Sequence, residues 1–301
     1  MSESAIVLGA NQYGKAEVRV VKVARESARH EIDDLNVTSQ LRGDFAAAHL
    51  VGDNAHVVPT DTQKNTIFAF ARDGIGSPEA FLLRLADHFV SSFEWVTGGR
   101  WAAERFAWQR IMVGGAPHDH AFVRSGHEVR TAVVVADGAE RHVIAGLRDL
   151  TVMKSTGSGF EAYPHDRYTT LAETHDRILA TDVSARWRYA RADAAADFDA
   201  RYESVRTLLL EAFAEGYSPG LQATLFAMGR RVLEAHDDVA EIRFSMPNNH
   251  HFAVDLSPFG LDNPNEVFHA ADRPYGLIEA AVVREGAESP RAAWDGIAGF
   301  C

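Results

Sequence analysis

The chain has 301 residues, 46% of them hydrophobic and 24% charged, a composition that excludes wholesale disorder. The formal charge of −12 makes it a poor electrostatic match for nucleic acid or an anionic membrane, so neither is an expected partner. The single cysteine, Cys301, is the last residue, which excludes an intrachain disulfide and any cysteine-based zinc cluster.

The length prior is about two domains, and a chain of this size can bury a core without staples. No apolar run approaches the about 20 residues needed to span a bilayer. Ala5–Ala10 is too short for a secretion signal and has no basic residue before it. Gly299-Phe300-Cys301 is not a peroxisomal address. A cytoplasmic location is expected.

Between Ala16 and Ala24, Val18, Val20 and Val23 alternate with Glu17, Arg19 and Lys22, which predicts a half-buried strand. Ile32, Leu35 and Val37 allow a second strand. A helix is expected from Thr60-Asp61, where either residue could cap it, to Asp73-Gly74. The next helix opens at Ser77-Pro78-Glu79, a cap followed by proline, and carries Phe81, Leu82, Leu85, Phe89 and Val90 at helical spacing. Strand-like runs follow at 101–113 and 129–135.

The second half repeats that order. Strands are expected at 143–154 and 184–189. A helix at 198–215 places Val205, Leu208, Leu209 and Phe213 on one face. Ser218-Pro219 opens another, carrying Leu221, Leu225, Met228, Val232 and Leu233. Strands at 242–254 and 277–283 close the half, and Asp193–Ala196 reads as a surface turn. The two Ser-Pro pairs stand 141 residues apart. The doubled order predicts an α+β chain with one antiparallel sheet per half and both helices on one face. Free edges on such sheets invite closure into a barrel by several subunits, so an oligomer is expected.

Common catalytic signatures are missing: no GxGxxG between strand and helix, no GxxxxGK[ST], no HExxH and no CxxC. His118-Asp119-His120 has the spacing of two ligands on one strand face, but no third ligand is near in sequence, and a polar loop after Gly114-Gly115 is the simpler reading. His250-His251 would point to opposite faces of a strand, so only one of them could serve a given site. Thr60-Asp61 could be a simple cap, yet a helix N-terminus also presents free N–H groups to an anion. Lys15, Phe160, Arg177 and Gln222 carry no functional signal singly.

Together these positions fall into an ordered set. Leu150-Thr-Val-Met-Lys-Ser-Thr-Gly-Ser-Gly-Phe160, followed by Tyr163, Tyr168, Leu171 and Arg177, resembles the central signature of the urate oxidase (uricase) family. Further matching pieces keep the family's order: Tyr13-Gly14-Lys15, Thr60-Asp61 with Lys64-Asn65-Thr66, and Gly114–Arg124. After them come Thr181-Asp182-Val183, Gln222-Ala223-Thr224 and Ser245–His250. The resemblance covers about residues 13–283.

The resemblance implies the tunnelling fold (T-fold): ββααββ units over 10–138 and 139–286, followed by a tail at 287–301, closing with other subunits into a homotetramer. It implies oxidation of urate by O2 and water to 5-hydroxyisourate and hydrogen peroxide, with neither metal nor organic cofactor. By motif, Lys15, Thr60 and His250 would relay protons. Phe160 would stack on the purine, while Arg177, Gln222 and the Leu221 backbone would clamp its polar edge. Thr60 and Asp61 would meet the opposite edge from a neighbouring subunit, and Asn248 would hold O2 or water above the ring. A flat aromatic floor and a guanidinium fork suit a planar, anionic, carbonyl-rich ring.

The chain departs from the eukaryotic pattern in having Leu221 for valine, Asn249 for lysine and His251 for tyrosine, which points to a bacterial-type member. Two rival readings stand beside it. One is a pterin or purine-nucleotide enzyme on the same fold, for which His118, His120 and His250 could supply zinc ligands. The other is a purine-binding protein without catalysis, which would keep Phe160, Arg177 and Gln222 but would not need Lys15 and His250 together.

Overall fold

In the computed structural model the described residues are 5–193 and 197–300, so Cys301 and most of the expected Asp193–Ala196 turn lie outside them. The chain divides into two units. The first runs to Ala145 and adds Arg191–Phe198 and Pro290–Asp295; the second consists of Gly146–Ala190, Asp199–Ser289 and the residues from Gly296 on.

In the first unit, β1 (Tyr13–Ala24) pairs antiparallel with β2 (Glu31–Gly43). Three helices follow: a short α1 (Ala46–Val51) that the sequence did not announce, then α2 (Thr60–Asp73) and α3 (Pro78–Ser92). A long hairpin of β3 (Val96–Val113) and β4 (Ala116–Asp137) completes this unit's run of strands, β1-β2-β3-β4, within a single eight-stranded sheet rather than the separate sheet per half that the sequence predicts. Val18, Val20, Leu35, Val37 and Trp101 are buried against Ile67 of α2 and Phe81, Leu82, Leu85 and Phe89 of α3. Phe89 and Trp101 stack with ring centres 6.3 Å apart. Glu79 of α3 and Arg130 of β4 form a buried ion pair at 2.7 Å.

The hairpin is longer than its hydrophobic pattern. The expected strand begins at 101, yet Gly98 and Gly99 already pair with Asp137 and Ala136. The turn is confined to Gly114-Gly115, both at positive φ, so His118-Asp119-His120 lies on β4 rather than in a loop. Tertiary pairing here overrides local signals.

β5 (Glu140–Lys154) carries the division between the units. The second unit holds β6 (Leu179–Tyr189), α4 (Phe198–Ala214) from Asp199 on, α5 (Leu221–Ala235) and β7 (Val239–Asn248). β8 (His251–Ala253) and β9 (Phe268–Ala270) then form a separate small ribbon, with a 3₁₀ turn at Ser257–Phe259 between them. β10 (Gly276–Val283) returns to pair with β7, giving the order β5-β6-β7-β10. A short α6 (Arg291–Trp294) follows. Val205, Leu209 and Phe213 of α4 and Leu221, Leu225, Met228, Val232 and Leu233 of α5 are buried, as their spacing predicts, whereas Leu208 is only half-buried. The expected strand over 242–254 is split, because the chain leaves the sheet after Asn248 and starts the ribbon at His251.

The two Ser-Pro pairs are not equivalent. Ser77 caps α3 and accepts from Ala80 N at 3.2 Å. Ser218 does not cap α5, whose N-cap is Gly220. Its backbone is committed elsewhere, donating to Gly157 O and accepting from Gly159 N, both at 2.9 Å. At α2 the N-cap is Pro59, so Thr60 and Asp61 are the first two helical residues and neither caps with its side chain. The Asp61 carboxylate instead accepts from Lys64 and Asn65 on the next turn.

Candidate active site

The first unit brings Lys15, Thr60 and Asp61 into one neighbourhood. Tyr13 anchors the start of β1: its ring meets Phe45 edge-on at 4.7 Å, and its hydroxyl donates to Val58 O at 3.1 Å, just before α2. Gly14 lies so close to β2 that a Cβ there would stand 1.8 Å from Ser39 O. Lys15 pairs in register with Ser39, whose hydroxyl donates to Gln63 Oε1 of α2 at 2.9 Å. Lysine strand and helix start are thus bolted together from beneath. The Asp61 carboxyl is held below its ordinary value, first by the hydrogen bond and charge of Lys64, then by smaller effects of Asn65 and Lys15. With Pro59 as cap, the first-turn N–H groups of α2 have no intrahelical acceptor and face outward at the positive end of the helix.

The second unit gathers the other residues. Beyond β5, Ser158 bridges to Ser218, and Phe160 exchanges backbone bonds of 2.7 and 3.1 Å with Thr174. Arg177 N donates to Ser158 O at 2.8 Å. These bonds bring the Arg177 guanidinium carbon to 5.3 Å from the centre of the Phe160 ring. Arg177 Nε is buried with no hydrogen-bond partner among the described residues. A buried donor left open in this way suits a ligand carrying carbonyl or anionic oxygen. Burial lowers the Arg177 pKa from its ordinary value, opposed by Tyr217.

Leu221 opens α5 with a buried side chain, and Gln222 beside it is exposed. A Cβ on Gly220 would lie 3.4 Å from Gln222 Oε1 and 3.8 Å from Phe160 Cδ2, so amide and ring flank one bare stretch of backbone. Asn248 is the last residue of β7, paired with Thr181 and with Gly276. His250 sits two residues on, half-buried, with its pKa below the ordinary value through burial, then Arg177 and His251. Arg177 therefore lies close to the Phe160 ring and within electrostatic reach of the His250 imidazole. His251 takes a different course, starting β8 with Nδ1 at 3.1 Å from Asn249 O.

His118 and His120 are neighbours, with ring centres 4.5 Å apart. Among the described residues no group of three or more His, Cys, Asp or Glu side chains is placed to hold a metal ion.

Several residues that hold this cluster were not legible in the sequence. The Tyr217 hydroxyl donates to His175 O at 2.9 Å and closes over Gly159, where a Cβ would stand 2.0 Å from it. Asp176 accepts from the Thr156 hydroxyl at 2.7 Å and from Gly157 N at 3.3 Å. The one available signal was an aromatic residue inside the Gly216-Tyr217-Ser218-Pro219 link between two helices.

Fold and site together define an α+β protein of two units that share one eight-stranded sheet. One unit carries an aromatic ring, a guanidinium, an amide and an imidazole; the other carries a lysine beside a helix N-terminus. The family model described as Uricase matches residues 11–135 and 143–279. A uricase of Arthrobacter globiformis is 64% identical over 296 residues, covering 98% of this chain and 96% of that protein. A uricase of Danio rerio is 37% identical over 287 residues, covering 93% and 94%. The crystal structure of the Arthrobacter globiformis uricase superposes with a TM-score of 0.93 at 63% identity, covering 97% of this chain and all of that one. That of a uricase from Bacillus fastidious gives 0.78 at 26% identity, covering 94% and 95%. The chain belongs to the uricase family.

Proposed function

We propose that this chain is a urate oxidase that converts urate, O2 and water to 5-hydroxyisourate and hydrogen peroxide without metal or organic cofactor. Urate gives up two electrons and gains a hydroxyl from water, while O2 takes the two electrons and two protons. The protein's task is to hold the ring, remove a proton to make it electron-rich, and present O2. The observation that carries this reading is the convergence of Phe160, Arg177, Gln222 and His250 in a chain of the uricase family.

In this reading Phe160 stacks on the purine, and Arg177 donates to its polar edge from a guanidinium whose Nε has no other partner. Gln222 and the Leu221 N–H at the start of α5 complete that clamp. The free N–H groups of Thr60 and Asp61 take the opposite edge from a neighbouring subunit of a homotetramer. Asn248 holds O2 or water above the ring. Lys15, the Thr60 hydroxyl and His250 relay the proton. A cytoplasmic location belongs to this reading; no helix among the described residues is long and apolar enough to cross a membrane.

The test follows urate loss at its ultraviolet band while an oxygen electrode records uptake, on chelator-treated protein assayed for metal. Matched urate and O2 consumption with peroxide formation in metal-free protein is expected. Uptake that returns only with added metal, or tight urate binding without uptake, would overturn the reading.

A further inference from the structure

Asp182 has no part in the reaction as read above, yet it is joined to that machinery by one side chain. It stands on β6 between the buried Thr181 and Val183. Its Oδ2 accepts from Asn249 Nδ2 at 2.9 Å, and its Oδ1 accepts from the Thr151 hydroxyl of β5. Asn249 lies between Asn248 and His250, at the point where the chain leaves the sheet. It is clamped three ways: its N donates to Ala180 O at 2.9 Å, its amide donates to Asp182, and its O lies 3.1 Å from His251 Nδ1.

His250 is held differently. Its backbone O accepts from Ala271 N at 2.9 Å, but its imidazole has no hydrogen-bond partner among the described residues. The ring's one aromatic neighbour there is Phe252, with centres 5.9 Å apart. Its orientation is therefore set by the backbone on either side, and the residue before it is the anchored one. A carboxylate acceptor makes that anchor stronger than a neutral one.

We propose that Asp182 is a positioning residue that holds His250, through Asn249, in the geometry the proton relay needs. The inference rests on the reading of His250 as a relay group. Relay groups tolerate little displacement, and partners one step removed from a reacting group commonly change turnover by about ten- to a hundredfold. The charged and titratable groups acting on His250 itself are Arg177 and His251. Asp182, Asn249 and His251 also line a cavity of about 570 Å³, so side chains altered here stay accessible to water and the variants should fold.

The test uses Asp182→Asn, Asn249→Ala and the double variant, with kinetics, urate-analogue binding, thermal unfolding and a crystal structure of each. The expected result is a loss of about tenfold in kcat, with KM and analogue affinity within about twofold of wild type. The double variant should lose no more than the worse single variant, because both act along one path. The His250 imidazole should be displaced or disordered in each crystal. Wild-type kcat, reduced kcat with His250 in its original place, or multiplied losses in the double variant would overturn the proposal. If wild-type protein does not oxidise urate, the relay reading falls. The crystallographic position of His250 in the variants then still decides whether Asp182 positions it.

Discussion

Arg177 and Phe160 hold each other's segments in place: the arginine's N–H closes on Ser158, two residues before the phenylalanine, and Phe160 closes on Thr174, three before the arginine. These bonds fix the two segments side by side, and the guanidinium then comes within 5.3 Å of the ring. Arg177→Lys keeps the charge but loses the planar fork. Urate affinity should fall by about 2 kcal/mol, roughly 30-fold, read as a rise in KM or in the Kd of a non-oxidisable urate analogue.

Gly159 is required by space. A Cβ would meet both the Tyr217 hydroxyl at 2.0 Å and the Thr174 carbonyl oxygen at 2.8 Å. Gly159→Ala should cost about 1–3 kcal/mol in thermal or denaturant unfolding and weaken analogue binding by shifting Phe160. Adding Tyr217→Ala removes the first clash and leaves the second, because Thr174 O belongs to the backbone. The double variant should therefore not return to wild-type stability.

The relay reading sets an order among three residues. Lys15→Met and Thr60→Ala should each reduce kcat by about a hundredfold or more, with smaller effects on analogue binding. Turnover that survives Lys15→Met but not Thr60→Ala would show that the proton does not start at the lysine.

Three histidines give the stability a direction with pH. His88, His236 and His250 all titrate below the ordinary value of 6.5, with burial the first cause in each. The unfolded chain keeps the ordinary value, so below pH 6.5 it binds protons that the folded chain refuses. Stability is full above pH 6.5, falls as the pH drops toward the lowered values and levels off beneath them. Thermal melts across about pH 5–8 check the sign. By the same depression, the acid limb of kcat/KM that reports His250 should lie below pH 6.5.

Hydrophobic periodicity was enough to place the long elements, because a buried face imposes its repeat on the sequence. Phe81, Leu82, Leu85 and Phe89 are all buried on α3, and Leu221, Leu225, Met228, Val232 and Leu233 on α5. Boundaries set by pairing rather than by apolar spacing were not legible. Gly98 and Gly99 fall outside the expected 101–113 strand and lie inside β3, while the strand expected over 242–254 divides after Asn248. Ser77 and Ser218 show the same limit, since identical dipeptides diverge once Ser218 spends its backbone on Gly157 and Gly159.

The sequence alone determined the doubled α+β order and the family to which the chain belongs. Those follow from residue type, spacing and motif order, which are local or one-dimensional properties. Only the tertiary structure decided that Tyr217 closes over Gly159, that Arg177 Nε is buried without a partner and that Asp182 reaches Asn249. Each of these depends on where segments from different parts of the chain meet. No spacing along the chain encodes the distance between a hydroxyl and a glycine 58 residues away, which is settled when the intervening helix packs.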